Sequence, residues 1–255
     1  MHDLGTLALL FAFLGGIGGG FVNSVAGGGT LVTFPVLTAI GIPSLDANIT
    51  NAVALSPGYA GGVLAQRDDF GGRRDLARAL AITAICGGIT GGVLLLVSGE
   101  HLFTILVPWL ILFATALLAF QGPLRRLTAS ARGVSGEART PIILIPIFAA
   151  TVYGGYFGAG LGIVTIAILN LLLSDTLNRL NALKLLMSLA ANGAAALLFA
   201  FSGHVYWAAG VLMGVGAWGG GWAGGKSVQH IPERPFRWGI ITLGLAMTIV
   251  FFLRI

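Results

Sequence analysis

The apolar blocks of this chain leave few architectures open. They run over residues 6–25, 30–42, 47–65, 79–97, 102–121, 141–157, 161–173, 183–202, 205–224 and 238–253, and short gaps between them hold most of the charge. A helix needs roughly 20 residues to cross a hydrocarbon core about 30 Å thick, and most blocks approach that length. Charged residues are 9% of the chain, against roughly 25% in a soluble domain, so a water-facing surface of this size cannot be dressed. The expected fold is an all-α polytopic membrane protein with about 8–10 transmembrane segments.

Composition narrows the function classes further. The 40 glycines exceed what soluble helices tolerate, but they suit membrane helices that pack closely or break. The single cysteine, Cys86, lies inside an apolar block, which excludes an internal disulfide and a Cys-based metal site. No His, Asp, Glu or Cys cluster has metal-ligand spacing, and no cofactor is expected. The formal charge of +5 does not make a nucleic-acid face, because the basic residues occupy gaps between hydrophobic segments. The first block starts within a few residues of Met1 without a basic leader, so it is expected to remain in the mature protein.

Two blocks, 30–42 and 161–173, are too short to span comfortably, and each follows a Gly-rich breaker. The breakers are Gly27-Gly28-Gly29 and Gly158-Ala159-Gly160. The first two segments of each half therefore read as broken or hairpin-like pairs. Other echoes keep the same order: Asn51-Ala52 with Asn181-Ala182, and Gly88 to Gly92 with Gly216 to Gly220. The pattern predicts two repeats of about five helical segments, residues 1–121 and 141–255, joined by a basic, solvated linker at 122–140.

Lys and Arg predict how the repeats sit. Arg67, Arg73, Arg74 and Arg78 fill one gap, Arg125, Arg126, Arg132 and Arg139 a second, and Lys226, Arg234 and Arg237 a third. The turns at 98–101 and 203–204 contain neither Lys nor Arg. The positive-inside rule makes the three basic gaps cytoplasmic and the two turns external. Traced through these anchors, the N-terminus is outside and Thr140 inside, so the repeats are inverted.

Chemistry is expected at the breaks. A backbone that leaves helical geometry at membrane depth exposes N–H and C=O groups that protein, water or ligand must meet. A helix restarting at Thr30 would aim free N–H groups and a positive dipole end at that point, which suits an anion. The candidate residues of the first break are Asn23, Ser24, Gly27, Gly28, Gly29 and Thr30, and those of the second are Tyr156, Gly158, Gly160 and Gly162. The alternative is glycine-mediated packing without a ligand.

Lys184 lies at or just inside the start of an apolar block. A lysine at mid-bilayer costs roughly 2.5–3.5 kcal/mol on insertion scales, so it either snorkels to the interface or attracts an anion or exchanges a proton. Asn181, Ser188 and Asn192 share its helix face by spacing of three and four, and Asn48 and Asn51 are so related in the first half. Such a stripe lines a path or glues helices together. Gly220 to Ser227 has the spacing of a phosphate-binding loop, but no strand precedes it and it closes a membrane segment. An intramembrane serine hydrolase using Ser24, or Ser202 with His204, is disfavoured because Ser202 and His204 are only two residues apart in an outer turn and no third group orients the histidine. The carboxylates Asp46, Glu100 and Asp175 lie at segment ends, so no carboxylate relay crosses the membrane.

These residues resemble the TauE/SafE sulfite-exporter family. In the first half the resemblance rests on the break with Asn23 and Ser24, the stretch from Thr30 to Pro35, and Thr50-Asn51. In the second it rests on Gly155 to Gly160, Asn181 to Lys184, and Phe201 to His204. The second break reads Gly160-Leu161-Gly162, where the family tends to have unbroken glycines. The resemblance implies a permease for sulfite, organosulfonates or related anions, proton-coupled and outward-directed, in the inner membrane of a prokaryote. The partners expected are the small anion, protons and the bilayer, with a homodimer compatible and no nucleic acid. A passive anion channel is the alternative.

Overall fold

A computed structural model describes residues 4–66, 74–130, 140–173, 175–227 and 233–253. The expected basic residues Arg67, Arg73, Arg132 and Arg139 lie outside the described residues. Among the described residues the chain is all-helical. The helices are α1 (Thr6–Ala26), α2 (Thr30–Ala39), α3 (Ser44–Ala65), α4 (Arg74–Ser130), α5 (Thr140–Tyr156), α6 (Leu161–Leu172), α7 (Leu177–Ala200), α8 (Trp207–Ser227) and α9 (Glu233–Phe252).

The expected breaks are present, and glycine makes them. α1 ends at Gly27, a left-handed cap (φ 76°) whose N–H bonds the carbonyls of Asn23 and Val22. Gly158 and Gly160 (φ 79° and 76°) do the same work between α5 and α6. A side chain in this backbone region carries a steric penalty that glycine avoids. α2 has 10 residues and α6 has 12, both too short for a full crossing.

α4 is two helices joined at Gly99 (φ 69°, ψ 175°), which matches the turn expected at 98–101. Its second limb continues through Ser130, into the stretch expected to be linker. Leu, Arg and Ala in Leu124-Arg125-Arg126-Leu127-Thr128-Ala129 favour a helix, so the polar character of this segment does not end it. Thr6–Val25, Arg74–Pro123 and Asn178–Ala200 are long and apolar enough to cross a membrane. Leu7, Leu10, Phe11, Leu14 and Ile17 are all exposed along one side of α1. An apolar face of that extent is a lipid-facing face.

Helix pairing crosses between the halves. α1 packs most extensively on α8, and α4 on α5, while α3 and α7 pack against each other. Lipid tails are as apolar as leucine, so close packing rather than hydrophobicity holds such helices. The seams are accordingly built from glycine. A Cβ on Gly20 would lie 2.1 Å from the Ala217 carbonyl oxygen, and one on Gly220 2.0 Å from that of Ile17. In the α4–α5 seam, a Cβ on Gly91 would lie 2.0 Å from the Val152 oxygen and one on Gly155 2.2 Å from that of Gly88. Aromatic packing ties both short-helix regions together: Phe34 of α2 meets Phe157, Phe251 and Phe103 at centroid distances of 5.6, 5.6 and 6.5 Å.

Candidate functional site

The fold brings the two breaks into contact. A Cβ on Gly162 would sit 4.0 Å from the Gly27 Cα, and one on Gly27 would sit 3.9 Å from Ile163 Cγ1. α3 and α7 then bring polar side chains to the two breaks.

From α7, the Lys184 stem runs along the junction: its Cδ and Cε lie 3.5 and 3.8 Å from the Cβ position of Gly162. Among the described residues, the ion pairs Arg78–Asp75, Arg179–Asp175 and His204–Asp46 do not include Lys184. One turn and two turns further on, Ser188 and Asn192 are buried. The Asn192 amide donates to the Ser188 carbonyl at 3.0 Å, and its Oδ1 lies 3.2 Å from the Cβ position of Gly158. The α7 stripe thus follows the second break.

From α3, Asn51 serves the first break and Asn48 the second. Asn51 Nδ2 donates to Thr30 Oγ1 at 3.3 Å, and its Oδ1 accepts a short bond from the Thr33 hydroxyl. Asn48 Nδ2 donates to the Tyr156 carbonyl at 2.8 Å. Asn48, Asn51, Thr30 and Thr33 are all buried. The N–H groups of Leu31 and of Val32 and Thr33 turn back to the carbonyls of Gly28 and Gly29. This takes up part of the donor capacity expected at the start of α2.

Other predicted residues have different duties. Ser24 donates to the Gly221 carbonyl at 2.8 Å, in the α1–α8 seam. Asn23 stands beside the side chain of Tyr59. Asn181 donates to Gln66 Oε1 at 3.0 Å, joining the start of α7 to the end of α3. Gly28 has ordinary space around it, with Leu31 Cδ1 3.7 Å from its Cβ position, whereas a Cβ on Gly29 would lie 2.5 Å from the Gly19 oxygen. Gly29 is therefore a packing glycine. The Tyr156 hydroxyl is 3.2 Å from Ser98 Oγ.

Sequence reasoning missed Thr33 and Tyr59. Thr33 stands one turn beyond Thr30, a spacing that could have marked it. It also missed a partner for His204: Asp46 Oδ1 lies 2.7 Å from its Nδ1, so a third group does orient that histidine. The Ser202 hydroxyl, however, donates to the Phe199 carbonyl at 2.7 Å and accepts from the His204 backbone N–H. A serine hydrolase needs that hydroxyl on the imidazole, so the pair remains a structural clasp.

The sequence model of the sulfite exporter TauE/SafE family matches residues 12–251. The "Probable membrane transporter protein ORF9" of Sinorhizobium sp is 29% identical, over 98% of this chain and 94% of its own length. A "Probable membrane transporter protein" of Haemophilus influenzae is 26% identical, over 96% and 95%. The "Probable membrane transporter protein YfcA" of Escherichia coli K12 is 26% identical, over 90% and 84%. No solved structure matches the chain. Matched over nearly its whole length, this all-helical membrane protein belongs to the TauE/SafE sulfite exporter family, a family of membrane transporters rather than enzymes.

Proposed function

We propose that the chain is a secondary transporter that moves a small sulfur-containing anion, sulfite or an organosulfonate, outward across the cytoplasmic membrane of a prokaryote with proton coupling. The observation that carries this reading is the junction of the two breaks at Gly27 and Gly162, with the Lys184 stem lying along it. A cation with no carboxylate partner among the described residues attracts an anion at such a point, and helix starts and amide donors complete its coordination. Asn48, Asn51, Ser188 and Asn192 are the polar groups on hand. Discontinuous helices in matching positions of two halves are where transporters of this architecture hold their substrate.

The halves act as inverted repeats, residues 1–121 and 141–255. The crossed pairing of α1 with α8 and α4 with α5 supports this, because equivalent elements then meet equivalent elements. Reporters test it: one fused after Ile255 reports the outside and one inserted near Ser130 the cytoplasm. A common compartment for both ends the inverted-repeat reading.

Counterflow tests the function itself. Purified protein in liposomes loaded with unlabelled sulfite should concentrate labelled sulfite transiently from outside. With the membrane potential clamped by a potassium ionophore in equal potassium, a passive channel gives equilibration without the overshoot, and no flux of any sulfur oxyanion or sulfonate removes the substrate assignment.

A further inference from the structure

Asn48 carries an observation that the anion reading leaves unused. Its side chain is 2% exposed, and its Nδ2 is fixed by the Tyr156 carbonyl at 2.8 Å. That bond sets the orientation of the amide, since a carbonyl oxygen accepts and only the NH2 donates. Its Oδ1 is then left buried, with no group donating to it among the described residues. A buried acceptor without a donor bears its desolvation penalty uncompensated, and it stands beside the second break, one turn from Asn51 at the first.

We infer that Asn48 Oδ1 is a specificity element for the cargo: the transported anion carries a hydrogen-bond donor of its own, an O–H or N–H, which this oxygen accepts. The inference rests on the anion reading and deepens it. A site made only of donors would treat every small oxyanion alike. An acceptor placed beside them repels the lone pairs of a fully deprotonated or donor-free anion, and it rewards one that brings a proton. A cation at the same oxygen is disfavoured, because Lys184 lies along the adjoining segment at Gly162, and the two carboxylates at the start of α3 are already engaged, Asp46 by His204 Nδ1 and Glu100 by the N–H groups of Ser44 and Leu45. The chemical class is therefore a singly charged sulfur oxyanion or sulfonate with a donor on it. Sites built around a polar partner discriminate more sharply than apolar pockets, since the analogue lacking the group leaves the protein atom unpaired.

The test uses purified full-length protein in detergent and two sulfonates of equal charge, ethanesulfonate and 2-hydroxyethanesulfonate, with binding measured by calorimetry. The hydroxyl-bearing ligand should bind about tenfold tighter, and 2-methoxyethanesulfonate, which has the oxygen but no donor, should lose that gain. Asn48→Leu should bring the ratio between the first two ligands close to one. Equal binding of all three by the unaltered protein overturns the inference and leaves the anion reading standing. Unchanged discrimination in a folded Asn48→Leu variant also overturns it. Should that variant not fold, the wild-type ligand series decides alone. Binding of none of the three, nor of sulfite, removes the anion reading itself and this inference with it.

Discussion

Asp46 Oδ1 stands 2.7 Å from His204 Nδ1, across 158 residues of sequence. The contact joins the first turn of α3 to the turn between α7 and α8. Beside it, the Thr50 hydroxyl accepts from the Tyr206 N–H at 3.0 Å, and Glu100 accepts from the N–H groups of Ser44 and Leu45, both at 3.0 Å. The imidazole is 45% exposed and the carboxylate 18%, so solvent screens the pair and holds its worth to about 0–1 kcal/mol. Asp46→Asn and His204→Gln should each lower the melting temperature in detergent by a few degrees or less. The double variant should be no worse than the more damaging single one, since both remove the same interaction. Additive losses would show that the two residues act apart.

The α1–α8 seam gives a sharper contrast. A Cβ on Gly220 would lie 2.0 Å from the Ile17 carbonyl oxygen, a backbone atom that cannot swing aside, whereas one on Gly219 meets nothing within 4 Å. Gly220→Ala should force the helices apart and destabilise by about 1–3 kcal/mol or more. Gly219→Ala should be neutral or stabilise by up to about 1 kcal/mol, because alanine is the better helix former. Equal behaviour of the two variants in a thermal melt would contradict the seam.

How far the sequence foretold this depends on whether the cause is local. The two breaks were legible because glycine at the end of an apolar run acts on its own backbone, and Gly27 and Gly158 both take the left-handed conformation. The short helices α2 and α6 followed from the same residues. The polar stripes on α3 and α7 were legible through spacing, but their partners were not. Nothing near Asn181 announces Gln66, which is 115 residues away. The Asp46–His204 contact was hidden for the same reason. Ser24 read as a ligand group, yet its hydroxyl closes a seam on Gly221, because glycine near a serine looks alike in a binding loop and in a packed helix pair.

Within the first break, neighbouring glycines should respond differently to substitution. Gly27 has φ 76° and Gly29 lies against the Gly19 carbonyl, but Gly28 meets only side-chain carbons of Leu31 and Leu118, at 3.7 and 3.9 Å. Gly28→Val should therefore insert and fold, while the added side chain crowds the backbone expected to meet substrate. Transport should fall at least about tenfold with the melting temperature little changed. Gly29→Val, in contrast, should fail as a folded protein. Wild-type counterflow by Gly28→Val would mean that the break serves packing alone.

Lys184 offers the test of coupling. Its stem passes the junction at Gly162, and the Asp175 carboxylate nearest to it in the chain is paired with Arg179 at 3.4 Å. Among the described residues the acidic side chains Asp46, Glu100 and Asp175 stand at helix ends, so the proposed proton coupling is tested on the anion and on this lysine. If the lysine carries it, a bound anion holds the ammonium charged, and release of the anion lets the proton go. Lys184→Gln should weaken sulfite binding by about 1.5–3 kcal/mol, the worth of a charge-assisted hydrogen bond, and flatten the dependence of transport on pH. Lys184→Arg should bind sulfite but lose the pH dependence, since arginine keeps its proton throughout. Gly162→Leu should resemble Lys184→Gln in binding, because the new side chain takes the space of the lysine stem, while its pH profile keeps the wild-type shape at lower amplitude. Normal binding and an unchanged pH profile in Lys184→Gln would mean that the ammonium only snorkels to the interface, leaving the anion to carry the proton.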